Sequence, residues 1–292
     1  MIDYNPKDWF TFIFKFHKAD TFRKLIPMLI AIGIYSFLVA YIETHYIESH
    51  HNEHLKELPI MHATLTFVIS LLLVFRTNTA YDRWWEGRRQ WGILNNSLRN
   101  FSLKLNVFVK DPEIKKSFSI ILPNYAFVLK NHLRNEFITS EYQEDTLLPY
   151  NTLNKDKHVP LQVLTPIFEQ TNNLLRKGDI DSIQLQSLTN DLNVLTEVLG
   201  ACERIKNTPI PFSYSVFLKK FIFFYIMTLP MGYVFKLGYF CIPVVVFIFY
   251  VLASLELIAE EIEDPFGTEA NDIPLERICN NIRANLQEIL IK

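Results

Sequence analysis

The chain has 292 residues and a formal net charge of -2, from 29 Lys plus Arg against 31 Asp plus Glu, a balance that supplies no basic field for nucleic acid. Its three cysteines, Cys202, Cys241 and Cys279, are widely separated and too few for a disulfide framework or a zinc site, and they read as small buried hydrophobes. With 49% hydrophobic and 14% aromatic residues beside 21% charged ones, a chain divided between membrane and water is expected.

The N-terminus opens Met1-Ile2-Asp3-Tyr4 and shows no short apolar core followed by a small-residue cleavage site, so the first apolar run is expected to stay as an anchor. That run, Leu25 to about Ile42, is free of charge over roughly 18 residues, near the length needed to cross a hydrocarbon core. A second run, Leu58 to Phe75, is closed by Arg76, with His62 placed near its outer end within reach of headgroups or water. Between Arg76 and Leu218 the pattern is that of helices in water. Leu188, Leu192, Leu195 and Leu199 recur at spacings of four, three and four, which predicts an amphipathic helix with one buried stripe. Phe118–Leu133 and Leu161–Leu175 look similar, with Pro123 and Pro166 expected to interrupt or start them, and the polar stretch from Asn135 to Pro160 reads as a loop. Two more apolar runs follow, Phe221–Val234 with Pro230 and Gly232 inside, and Leu237–Leu255, with Lys236 marking a tight turn between them. The first of these is short enough to be a buried core helix, but beside the second it reads better as half of a membrane hairpin.

Positive charges set the orientation. Lys15, Lys18, Arg23 and Lys24 precede the first span, Arg76, Arg83, Arg88 and Arg89 follow the second, and Lys219 and Lys220 precede the third. All three groups fall on one side, which predicts a multi-pass protein of the inner (plasma) membrane with both termini in the cytoplasm. The expected parts are residues 1–24, cytosolic; 25–75, two spans with an outer loop at 44–57; 76–218, a cytosolic helical region; 219–258, two further spans; and 259–292, cytosolic.

The string Phe75-Arg76-Thr77-Asn78-Thr79-Ala80-Tyr81-Asp82-Arg83-Trp84-Trp85-Glu86-Gly87 follows the second span directly. Read by its residues alone, it is a charged, aromatic helix leaving the lipid. It closely resembles the signature of the bestrophin family, and Asp264-Pro265-Phe266-Gly267 after the last span resembles the same family's second motif. The resemblance extends over nearly the whole chain, and the short C-terminus is similar to the compact bacterial branch. It implies an all-α membrane protein with four transmembrane helices per subunit and a cytosolic helical vestibule, assembled with four further copies of itself as a homopentamer around one central pore. Membrane lipid and small monovalent ions are then the other expected partners.

The resemblance also places two constrictions. The family's hydrophobic neck falls on Phe67, Leu71 and Phe75, whose spacing of four keeps them on one helical face. Thr66 and Ser70 form a competing polar pair, and by residue type alone Phe67, Leu71 and Phe75 could equally touch lipid or neighbouring helices. The cytosolic aperture falls on Ile183, which would otherwise read as an ordinary core residue at a helix start. Animal relatives carry a calcium clasp after the Pro-Phe-Gly motif, whereas Thr268-Glu269-Ala270-Asn271-Asp272 holds two carboxylates where calcium prefers roughly six to eight oxygens. Asp272 before Pro274 reads better as a helix cap, and no cofactor is expected. In and around the outer loop, His50 and His54 share a face if the segment is helical and are weak candidates for zinc, but no third ligand is fixed by spacing. Family habit favours chloride, while bacterial members need not share it. A non-conducting scaffold and a membrane-bound metal-dependent enzyme are the alternatives, although neither an H-E-x-x-H nor a G-x-S-x-G motif is present.

Overall fold

The computed structural model describes residues 21–46, 53–144 and 153–291, and all regular structure among them is helical. In chain order the helices are α1 (Thr21–Tyr46), α2 (Glu53–Phe108), α3 (Pro112–Leu133), α4 (Val159–Lys177), α5 (Ser182–Asn207), α6 (Phe212–Leu237), α7 (Cys241–Glu263) and α8 (Leu275–Ile291). Two short 3-10 turns, Thr139–Glu141 and Gly238–Phe240, complete the inventory of described elements. The chain divides into two compact units, with boundaries at Trp84/Trp85, at Thr208/Pro209 and around the Asp264–Asp272 turn.

The first unit contains α1, α2 as far as Trp84, α6 and α7. Its core joins Leu25 and Leu29 of α1, Ile69 and Leu73 of α2, Ile222, Tyr225 and Leu229 of α6, and Val245, Phe249 and Leu252 of α7. The outward faces are apolar as well: Ile30 and Ile34 of α1, Phe224 of α6 and Phe247 of α7 are all exposed. A protein apolar both inside and out has lipid as its solvent. Three stretches are long and apolar enough to cross a bilayer, Thr21–Tyr46, Glu57–Phe108 and Phe212–Glu263, and the last holds both α6 and α7. Several threonine hydroxyls along these stretches bond back to their own helix, as where Thr66 donates to the His62 carbonyl at 2.7 Å and Thr77 to that of Leu73 at 2.9 Å.

Several expectations shift by a few residues or more. The helix read as leaving the lipid past Arg76 runs on to Phe108, so that α2 has 56 residues in all, or about 84 Å against a hydrocarbon core of about 30 Å. Charge ends an apolar run without ending a helix, because Arg, Glu and Gln are good helix formers. The turn between α6 and α7 begins at Gly238, with φ of 53°, rather than at Lys236, which lies in the last turn of α6. Only glycine takes that left-handed backbone readily. His62 does not reach headgroups: it is fully buried, its Nε2 3.0 Å from the Thr228 hydroxyl and its ring against Tyr225 and Tyr233.

The second unit contains the rest of α2 with α3, α4, α5 and α8. Here α3 packs on α8, α4 and α5, and α4 packs on α5. The predicted leucine stripe of α5 is its buried face, with Leu188, Leu192, Leu195 and Leu199 at most 4% exposed. Pro123 and Pro166 lie inside α3 and α4 without breaking them, because tertiary packing outweighs the loss of one backbone bond apiece. All three cysteines are buried as expected, and burial pushes the Cys202 thiol up to about 12.

Candidate functional site

Along the part of α2 that lies in the first unit, the side chains sort by angle. Ile69, Leu73, Arg76 and Ala80, spaced four, three and four, are at most 2% exposed and form the inward stripe. Phe67 and Leu71 stand two residues before members of that stripe, about 200° around the helix. Phe67, Leu71 and Phe75 are 70%, 45% and 57% exposed, so the chain's own fold makes no use of this apolar face. Asn78 and Asp82 continue the same face at spacings of three and four, and both are exposed. The competing polar pair is split: the Thr66 hydroxyl sits 2.6 Å from that of Tyr225 on α6, while Ser70 stays exposed.

Behind this face, the charged half of the signature holds α2 to α7. Arg76, 2% exposed, places Nη2 2.7 Å from Glu263 Oε2 and Nε 3.5 Å from Glu256 Oε2. Glu263 Oε1 accepts from the Ile210 amide at 2.7 Å, and its backbone oxygen accepts from Arg83 Nε at 3.0 Å. No basic residue lies in the last turn of α7, so two arginines from α2 supply the positive charge that a helix C-terminus favours. Trp84 Nε1 donates to the Asn271 carbonyl at 3.0 Å, and the Asn271 amide donates to Glu261, which also pairs with Lys24. The string alone reads as interfacial, and Glu256 and Glu263 as its partners were missed. The apolar run carrying acids at its end was the available signal.

Three comparisons bear on this arrangement. A family model described as bacterial/fungal bestrophin protein matches residues 1–288. The chain belongs to the bestrophin family. It is 39% identical over 238 residues to a voltage-dependent anion channel-forming protein of Nostoc sp., covering 79% of this chain and 78% of that one. A voltage-dependent anion channel-forming protein of Salmonella typhi is 33% identical, over 77% of this chain and 74% of that one. The crystal structure of a bacterial bestrophin homolog from Klebsiella pneumoniae superposes with a TM-score of 0.83 at 30% identity, covering 91% of this chain and 98% of that one. Both sequence relatives are named for channel formation rather than catalysis.

In this bestrophin the second motif is a turn gripped from one side. Arg134, just past the end of α3, donates from Nε to the Phe266 carbonyl at 2.9 Å and from Nη2 to that of Gly267 at 2.8 Å, and it pairs with Glu276 of α8. The Ile273 amide closes the turn on the Pro265 carbonyl at 3.0 Å, and Phe266 is 1% exposed. Asp264 caps the end of α7 one residue earlier. Gly87 permits the close approach, since a Cβ there would stand 3.1 Å from both the Phe266 ring and Pro265 Cγ. Gly87→Val is therefore expected to destabilise the second unit by about 1–3 kcal/mol through overpacking, read as a lowered unfolding temperature. Trp85 and Tyr81 remain exposed, at 56% and 52%.

Ile183 is the second residue of α5 and 77% exposed, so it is not a core residue. Asp181 and Gln184 form a capping box that holds this helix start. In the stretch aligned with the calcium clasp, Glu269 pairs with Lys24 at 3.5 Å, and Asp272 is buried. His50 lies outside the described residues, as does the side chain of His54, whereas His45 stacks on Tyr41 and makes a 3.1 Å contact with its carbonyl.

Proposed function

We propose that this bestrophin assembles as a homopentamer of four-span subunits around one axial pore and conducts small monovalent anions across the plasma membrane. The observation that carries the proposal is the apolar row Phe67, Leu71 and Phe75, exposed on the face of α2 opposite the stripe that binds α6 and α7. Five such rows around an axis make three stacked apolar rings, which exclude water and ions when narrow and readmit both when the helices rotate or part. The homopentamer places the second unit and both termini in the cytoplasm and makes exposed Ile183 the ring of a second aperture. The anion names of the relatives support the sign of the ion. Calcium has no part in this gating. The clasp stretch offers two carboxylates, and Lys24 engages one of them.

A cation-selective channel is the second reading, favoured by Asp82, which lies exposed on the same face as the apolar row. Planar-bilayer recording of the purified protein under a potassium chloride gradient separates the two. A reversal potential displaced toward the chloride equilibrium value is the expected result, and displacement toward that of potassium establishes the cation reading. A monomeric or dimeric particle that passes no current overturns both.

A further inference from the structure

Three side chains far apart in sequence converge within the second unit. His132 is the penultimate residue of α3, His158 precedes α4, and Glu203 lies near the end of α5. Both Nε2 atoms are 2.7 Å from the same Glu203 oxygen, Oε1, and the two rings lie 4.8 Å apart. We propose that His132, His158 and Glu203 form a binding site for a divalent transition metal of the zinc class.

Ligand chemistry selects the class of ion. Two imidazole nitrogens and one carboxylate suit zinc and its neighbours, whereas calcium and magnesium demand mostly oxygen. Fit selects the place. The three ligand atoms lie within 4.8 Å of one another, and tetrahedral ligands at ordinary zinc distances stand about 3.3–3.5 Å apart. Opening the 2.7 Å contacts by about 0.7 Å admits the ion. The side chains are 28%, 37% and 28% exposed for His132, His158 and Glu203, which leaves a path for entry and a fourth position for water.

One further feature points the same way. His158 occupies a helix N-cap, where Ser, Thr, Asp or Asn is preferred, and makes no capping bond; its ring turns to Glu203 instead. An ion here ties together the ends of three helices, and with them both ends of the 134–158 connection.

The test uses full-length protein in detergent, stripped with a chelator and titrated with zinc chloride against a fluorescent indicator. His50→Ala, His51→Ala and His54→Ala together make a background that removes the outer-loop histidines. One zinc per chain is expected in this background, together with a rise in unfolding temperature. His132→Ala, His158→Gln and Glu203→Gln are each expected to weaken binding at least about tenfold. Cobalt in place of zinc is expected to give visible absorption bands that the same variants lose. His158→Gln carries the test alone where another variant loses helical circular dichroism, since its ring is 37% exposed at a helix start. Equal zinc affinity and stoichiometry in all three variants, or no zinc retained by the background, overturns the site and leaves a hydrogen-bonded triad.

Discussion

Phe67→Ala combined with Leu71→Ala is expected to raise the current of the bilayer-reconstituted protein at least about tenfold, equivalent to taking about 1.4 kcal/mol off the barrier. Each truncation removes apolar bulk five times over in a pentamer, and an apolar constriction blocks ions by refusing them water rather than by opposing their charge. The larger current should therefore come with little change in reversal potential. The fold should tolerate the change, because these side chains are 70% and 45% exposed and lie outside the core of the first unit. Leu73→Ala is the matched control. It lies on the same helix, is 2% exposed, and is expected to destabilise the protein by about 2–5 kcal/mol without opening the pore. Unchanged current from an intact double variant would place Phe67 and Leu71 against lipid or a neighbouring helix, and the axial-neck reading would fail.

Arg76→Ala is expected to lower stability by about 3–5 kcal/mol, read as an earlier unfolding or aggregation onset of the solubilised protein on heating. The guanidinium is 1% exposed and faces carboxylates 6% and 14% exposed, on Glu256 and Glu263, so its removal takes the paired cation away from two acids that have little water. The loss comes less from an attractive pair than from the stranded charges. Glu256→Gln and Glu263→Gln introduced together with Arg76→Met should accordingly recover much of it, since neutralising every partner removes the stranded charge. A single Arg76→Ala variant as heat-stable as the parent would mean that the α2–α7 contact is held by apolar packing alone.

Residue patterns of short range were legible in the sequence. Apolar runs marked the stretches in α1, α2, α6 and α7 that are long and apolar enough to cross a bilayer, because each such run must be long enough to cover a hydrocarbon core. The α5 stripe from Leu188 to Leu199 was legible for the same kind of reason, since helical period is a property of neighbours along the chain. The two family motifs were conspicuous too, but as strings of types rather than as contacts. Arg76 and Arg83 read as interfacial charge, whereas they reach Glu263, 180 or more positions away. Arg134 carried no signal for its grip on the second motif, because there it meets the carbonyls of Phe266 and Gly267, which every residue has.

The amino-acid order by itself determined that this is a helical membrane protein of the bestrophin family, which of its stretches are long and apolar enough to cross a bilayer, and where α5 keeps its buried stripe. Tertiary structure alone decided which way the row of Phe67, Leu71 and Phe75 turns, how far α2 runs unbroken beyond Arg76, and that His132, His158 and Glu203 meet. Periodicity records angles between near neighbours along a helix, but the direction a face points is set by whichever distant helix covers the opposite side. Here that covering comes from Tyr225 of α6 and Glu263 of α7, whose positions along the chain carry no mark of the partner they meet.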